Sequence, residues 1–155
     1  LDAGSFKTFF LPDGMIGDAL PTAIGDDLNG SIGTVPGTDS PGATKFNEIA
    51  KSNNFKAGPY TKESYDSAAL IMLAMQAANS TNSNDFKSKV MDVANAPGEK
   101  IFPGELAKGL KLLSEGKEID YVGASAVELI GGGESAGNFA EILIDNQKVT
   151  TVGYK

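Results

Sequence analysis

Phe6-Lys7-Thr8-Phe9-Phe10-Leu11 runs directly into Pro12-Asp13-Gly14, and the reading of this stretch decides the fold. The apolar burst reads as a buried strand, and Pro-Asp-Gly is a strong turn signal that stops it. Asp13 therefore stands at the carboxyl end of a strand, where open α/β sheets receive their ligands. A carboxylate there is able to pair with a ligand ammonium through a charge-assisted hydrogen bond. The plainer alternative is that Asp simply favours turns and helix caps.

Working outward, residues 28–35 read as a second short strand ending at Pro36-Gly37, with a short helix over 15–24 between the two. Phe46, Ile49 and Ala50 form one apolar stripe and predict a helix over 43–51. Thr61 or Ser64 is placed to cap a helix running to about residue 79, with Glu63 suited to its positive end. That helix is apolar nearly all round over 68–78 and is expected to be buried. A further amphipathic helix is expected over 85–94. Another should start near Pro103, carry Leu106, Leu110 and Leu113 on one face, and stop at Gly116. Residues 119–122 and 139–144 read as strands, and Asp145-Asn146 as the turn into a hairpin partner over 148–152. The order strand–helix–strand, four helices, then strands predicts an α/β fold in which the strands of the two ends belong together.

Composition narrows the chemistry. The 155 residues carry 13 Lys+Arg against 20 Asp+Glu, a net charge of −7, with no Cys and no His. Without Cys there is no disulfide framework, thiol nucleophile or thiolate metal site. Without His the commonest general base and metal ligand are missing. We therefore expect no catalytic residue, no metal and no cofactor. The acidic balance argues against nucleic acid, which needs a basic footprint. The longest apolar stretch, 68–78, is too short to span a bilayer.

Several motifs are decoys or plain alternatives. Gly133-Glu134-Ser135-Ala136-Gly137 matches the nucleophile elbow of α/β-hydrolases, after an apolar run over 127–130 and with room for a helix behind it. A serine esterase acting through Ser135 is nevertheless the least favoured reading, because no histidine is present to take the hydroxyl proton. Gly131-Gly132-Gly133 lacks the spacing of a phosphate loop and reads as a flexible crossing. Asp26-Asp27 has no calcium-loop spacing and reads as a solvated turn. Asn29-Gly30-Ser31 and Asn79-Ser80-Thr81 fit the N-glycosylation sequon, a pattern that is common by chance. Tyr60, Glu63 and Tyr65 cluster before the long helix. Tyrosines suit a pocket for a small amphiphilic ligand, whereas the plainer reading gives Glu63 to the helix start and Tyr65 to the core.

Taken together, Phe9-Phe10-Leu11-Pro12-Asp13-Gly14, Leu28-Asn29-Gly30-Ser31-Ile32-Gly33-Thr34, Tyr65-Asp66-Ser67-Ala68-Ala69-Leu70 and Tyr121-Val122-Gly123-Ala124-Ser125 occur in a telling order. The chain resembles the C-terminal portion of the branched-chain amino-acid-type substrate-binding proteins of bacterial ABC importers, the type I periplasmic binding fold. The resemblance implies parts of two Rossmann-like lobes, a fragment of the full fold. Residues 1–36 would belong to lobe 2, 37–134 to lobe 1 and 135–155 again to lobe 2, with hinge crossings near 35–38 and 131–138. It implies a non-enzymatic protein that binds a small amino acid in the cleft between lobes, with Asp13 receiving the α-ammonium and Tyr60, Glu63 or Tyr65 lining the site. An aromatic acid, amide or urea-like ligand is the alternative. The implied partners are that small molecule, an ABC transporter permease and the missing N-terminal half of the same protein. The implied location is the periplasm, or the cell surface as a lipoprotein in a Gram-positive host. One departure stands out: after Ala124-Ser125 the family has Gly and an acidic turn, whereas this chain reads Ala126-Val127-Glu128-Leu129-Ile130-Gly131.

Overall fold

A computed structural model describes residues 4–155. In chain order the elements are β1 (Phe10–Leu11), α1 (Ala19–Ile24), β2 (Ile32–Pro36), α2 (Pro41–Ser52), α3 (Thr61–Ala78), α4 (Ser83–Phe86) and α5 (Lys89–Ala94). They continue as β3 (Glu99–Ile101), α6 (Leu106–Ser114), β4 (Ile119–Tyr121), β5 (Leu129–Ile130), β6 (Glu134–Ser135), β7 (Phe139–Asp145) and β8 (Lys148–Tyr154). The chain divides into two compact units, one made of the residues up to Thr38 with Asn138–Lys155, the other of Asp39–Gly137.

The first unit is built on one sheet of order β1-β2-β7-β8. β1 runs parallel to β2 with Phe10 opposite Ile32, while β7 lies antiparallel to both β2 and β8. Strands from the two ends of the chain thus share a sheet, as their patterns imply. Alternation on β7 points Ala140, Ile142 and Ile144 inward, where they bury against Leu11, Ile16 and Leu28. The first strand is shorter than its apolar run: Phe6 is 74% exposed, and pairing begins only at Phe9, whose carbonyl accepts from the Ile32 N–H at 3.0 Å. The expected 15–24 helix is split into a 3-10 turn at Asp13–Met15 and α1. The expected 28–35 strand begins at Ile32, because Gly25–Leu28 forms a 3-10 turn and Gly30 has φ +84°. The hairpin turn is Asn146-Gln147, one residue later than expected, since Asp145 still pairs with Lys148. Both turn residues have positive φ, as a two-residue loop between twisted strands demands.

The second unit packs helices about a two-stranded parallel sheet, β3-β4. α2 starts where Ser40 Oγ accepts from the Ala43 N–H at 3.2 Å with Pro41 in the first turn, and it buries Phe46 and Ala50. α3 is not buried all round: Leu70, Leu73 and Ala74 face the core with Ile101, Ile119 and Tyr121, but Ile71 and Met72 are 44% and 42% exposed. Thr61 does not cap it either. Its hydroxyl donates to the Gly58 carbonyl at 2.8 Å and accepts the Gly58 N–H at 3.0 Å, closing the loop ahead of the helix. The expected 85–94 helix is two helices, α4 and α5. α6 begins at Leu106 because Pro103-Gly104 forms a turn in which the Glu105 N–H donates to the Phe102 carbonyl at 2.9 Å. Gly116, at φ +73° just past its end, stops it as expected, with the Lys117 N–H returning to the Leu112 carbonyl at 3.0 Å. Glu99–Ile101 has no strand signature in sequence, yet it pairs with Ile119–Tyr121.

Residues 129–135 form a small hairpin, Leu129 pairing with Ser135 and Gly131–Gly133 making the turn. The Asn95 amide holds it by donating to the Leu129 carbonyl at 2.7 Å and accepting the Leu129 N–H at 3.0 Å. A side chain here supplies both hydrogen bonds that a neighbouring strand residue would.

Candidate functional site

Asp13 follows β1 directly and opens the 3-10 turn. Its side chain is exposed, and its Oδ1 accepts the Gly14 N–H at 2.7 Å while its carbonyl accepts the Ile16 N–H at 3.0 Å. The turn therefore orients the carboxylate at the carboxyl end of a parallel strand pair, with a chemistry suited to a cation.

The three residues of the Tyr60 cluster have separate roles. Tyr60 stands at the N-terminus of α3 with φ +61° and is 42% exposed. A bulky residue in the left-handed region costs about 1–2 kcal/mol and persists only where its surroundings impose it. Glu63 sits half-buried in the first turn of the helix, where its charge favours the helix N-terminus. Tyr65 is engaged within its own unit: its hydroxyl accepts the Gly104 N–H at 3.0 Å and its ring meets Phe46 edge-on at 5.2 Å. That matches its plainer, packing role.

One heavily bonded buried carboxylate is not singled out by local sequence. Asp66 is 2% exposed. Its carboxylate accepts the Tyr121 hydroxyl at 2.9 Å, the Ala124 N–H at 2.7 Å, the Ser125 N–H at 2.7 Å and the Ser125 hydroxyl at 2.6 Å. Gly123, at φ +69°, fits beside it because any Cβ there would stand 2.6 Å from the Asp66 carboxylate. Two motifs in the resemblance, Tyr65-Asp66-Ser67 and Tyr121-Val122-Gly123-Ala124-Ser125, are thus the two sides of one buried anchor. The signal lay in their joint presence.

Burial, and then the Asp66 charge, push the Tyr121 hydroxyl far above its ordinary pKa of 10.0. The sign follows. A folded-state pKa raised above the unfolded one contributes stability below about pH 10 that is lost as pH rises, because only the unfolded tyrosine releases its proton there. Of the four tyrosines, Tyr121 should give its phenolate signal only as the protein unfolds in alkali. Tyr121→Phe should flatten the fall of stability above pH 10. A native-state ultraviolet titration in which every tyrosine ionises before unfolding would contradict this.

Ser135 does not form a nucleophile elbow. It lies exposed on β6, its hydroxyl donates to the Ala136 carbonyl at 3.2 Å, and the chain continues into β7 rather than a helix. No helix among the described residues is long and apolar enough to cross a membrane.

No family model matches the chain. It is 28% identical over 97 residues to the chemotactic signal transduction system substrate-binding protein BasB of Halobacterium salinarum, a match covering 63% of this chain and 24% of that protein. Among solved structures it is similar to the leucine-binding protein LivK of Thermotoga maritima, with a TM-score of 0.71 and 16% identity. That match covers 99% of this chain but 38% of LivK, so the chain spans well under half the length of the proteins it resembles. The chain accordingly has an α/β structure with the type I periplasmic-binding fold, in a portion of it.

Proposed function

We propose that the chain is part of an extracytoplasmic solute-binding component of an ABC importer, and that the full-length protein binds a small amino acid of the branched-chain type. The observation that carries this reading is Asp13, an exposed carboxylate at the carboxyl end of β1, in a fold shared with a leucine-binding protein. In this reading Asp13 receives the α-ammonium, and Tyr60, Glu63 or Tyr65 lines the site. Residues 1–36 and 135–155 belong to lobe 2 and 37–134 to lobe 1, the crossings near 35–38 and 131–138 acting as hinges. The groups that hold the ligand carboxylate belong to the N-terminal half of the full-length protein. Its place is the periplasm, or the surface of a Gram-positive cell as a lipoprotein, and it performs no catalytic step.

Calorimetry on the full-length protein tests the reading. Asp13→Ala should weaken a leucine-like ligand by about 1.5–3 kcal/mol, the worth of a hydrogen bond to a charged group. An aromatic acid or amide that lacks the ammonium should be indifferent to the change. Unchanged leucine affinity in the variant would remove Asp13 from the site. Tight binding of only ammonium-free ligands would favour the aromatic-acid, amide or urea-like alternative.

A second reading concerns the partner. The likeness to a chemotactic substrate-binding protein favours a signalling receptor beside, or instead of, a permease. Co-purification of the ligand-loaded full-length protein with each candidate membrane partner separates the two.

A further inference from the structure

The two sequons, alike in sequence, differ sharply in the fold. In Asn29-Gly30-Ser31 the hydroxyl residue Ser31 is 0% exposed and its Oγ accepts the Phe9 N–H at 3.3 Å. Both flanking amides are committed: the Gly30 N–H donates to the Ile144 carbonyl at 2.9 Å, and the Ile144 N–H donates to the Ser31 carbonyl at 2.8 Å. Asn29 Oδ1 is itself buried. This sequon is held between β1 and β7 within the sheet, with the Ser31 hydroxyl and the Asn29 Oδ1 both withdrawn from an enzyme.

Asn79-Ser80-Thr81 is the opposite case. Asn79 ends α3 at φ +47°, and both Asn79 and Thr81 are exposed. The backbone there is a helix stop, the Asn79 and Ser80 N–H groups returning to Gln76 and Met75 carbonyls at 3.1 Å, with no strand pairing to break. Ser80 turns away to donate to Asp85 Oδ2 at 2.7 Å, so the middle residue does not crowd the outer two. A shallow groove of about 530 Å³ adjoins the site, lined by Met72, Met75, Gln76, Asn79, Ser80 and Thr81. Met72, 42% exposed, and Met75 put apolar surface beside the otherwise polar lining of this groove.

We infer that Asn79 is an N-glycan acceptor and that Asn29 is not. The co-substrate is an oligosaccharide carried on a lipid pyrophosphate. The Asn79 amide nitrogen attacks C1 of the first sugar, an N–C bond forms and the C1–O bond breaks. The lipid pyrophosphate leaves with the electron pair and the amide gives up one proton. Thr81 supplies the hydroxyl that the transferase reads two residues on. The inference rests on the extracytoplasmic reading above, because such donors are presented outside the cytoplasm.

The test uses purified, folded full-length protein with a single-subunit oligosaccharyltransferase that accepts the three-residue sequon and its lipid-linked donor. Synthetic peptides spanning 26–34 and 76–84 serve as unfolded references. Both peptides should be modified. The folded protein should gain one glycan by mass, lost in Asn79→Gln and in Thr81→Ala, retained in Thr81→Ser and unaffected by Asn29→Gln. A folded protein left unmodified while its 76–84 peptide is modified would overturn the inference, as would modification of folded Asn29. Because the enzyme and donor are supplied, the outcome does not depend on where the cell keeps the protein. Cell fractionation tests that reading separately.

Discussion

Asp66→Ala is expected to destabilise the second unit by about 3–5 kcal/mol, because it leaves several buried donors unpaired at once. The carboxylate receives four donors in a site closed to water. Alanine strands two backbone N–H groups and two hydroxyls, and each buried donor left unpaired costs about 1–3 kcal/mol. Neighbouring losses do not simply add, because the turn over 123–126 relaxes and admits water. The remaining loss still takes a large part of the roughly 5–15 kcal/mol typical of a domain. Asp66→Asn keeps the shape and one acceptor oxygen but turns an NH₂ toward donors, so it should cost less than alanine and more than a surface change. Urea unfolding measures both: the midpoint should fall with little change in slope. A loss under about 1 kcal/mol in the alanine variant would mean that the network is worth no more than an ordinary exposed hydrogen bond.

Gly42→Ala is the second large effect, and its sign runs against helix propensity. In a helix interior, replacing Gly by Ala ordinarily gains about 0.8–1 kcal/mol. Gly42 lies in the first turn of α2, buried, and a Cβ there would run into the Gly123 carbonyl oxygen and stand 3.0 Å from its carbon. Gly123 has little freedom to retreat, because the next two amides, of Ala124 and Ser125, are bonded to Asp66. Overpacking against fixed backbone should therefore destabilise the unit by about 2–3 kcal/mol, near the upper end for such changes. Gly58→Ala is the control: a Cβ at that position would meet nothing within 4 Å, so its effect should stay within about 0.5 kcal/mol. Thermal or urea unfolding of the two variants side by side gives the answer. Gly42→Ala equal to or above the unmodified protein in stability would show that α2 and the 123–126 turn do not approach so closely.

Elements with strong local signals were legible. The Phe46, Ile49 and Ala50 stripe marks α2, Gly116 stops α6, and the apolar run 139–144 becomes β7. Elements that depend on a distant partner were not. Glu99-Lys100-Ile101 has two charged residues and no alternation to read, and becomes a strand because Ile119–Tyr121 lies alongside it. Phe6 reads as strand core yet is exposed, since hydrogen bonding to the next strand begins only at Phe9. The uniform apolarity of 68–78 concealed that only one side of α3 meets the core.

The candidate site divides along the same line. The position of Asp13 just past a strand end was legible because a strand stopped by Pro-Asp-Gly is a local pattern. The packing role of Tyr65 was legible as the plainer reading, and its partners Phe46 and Gly104 come only with the fold; the left-handed backbone of Tyr60 had no local signal.

By itself the sequence determined that this chain has no thiol and no imidazole, the alternation of its elements and, through motifs in order, an α/β fold of the type I periplasmic-binding kind. Absences and periodicities need no neighbour to be read. The tertiary structure alone decided that Asp66 joins the start of α3 to a turn 55 residues or more away, that Ser135 lies on a hairpin instead of an elbow, and which of two sequons is open. Each of those depends on which groups exchange water for one another when distant segments meet, and a buried carboxylate or hydroxyl declares its partner only there.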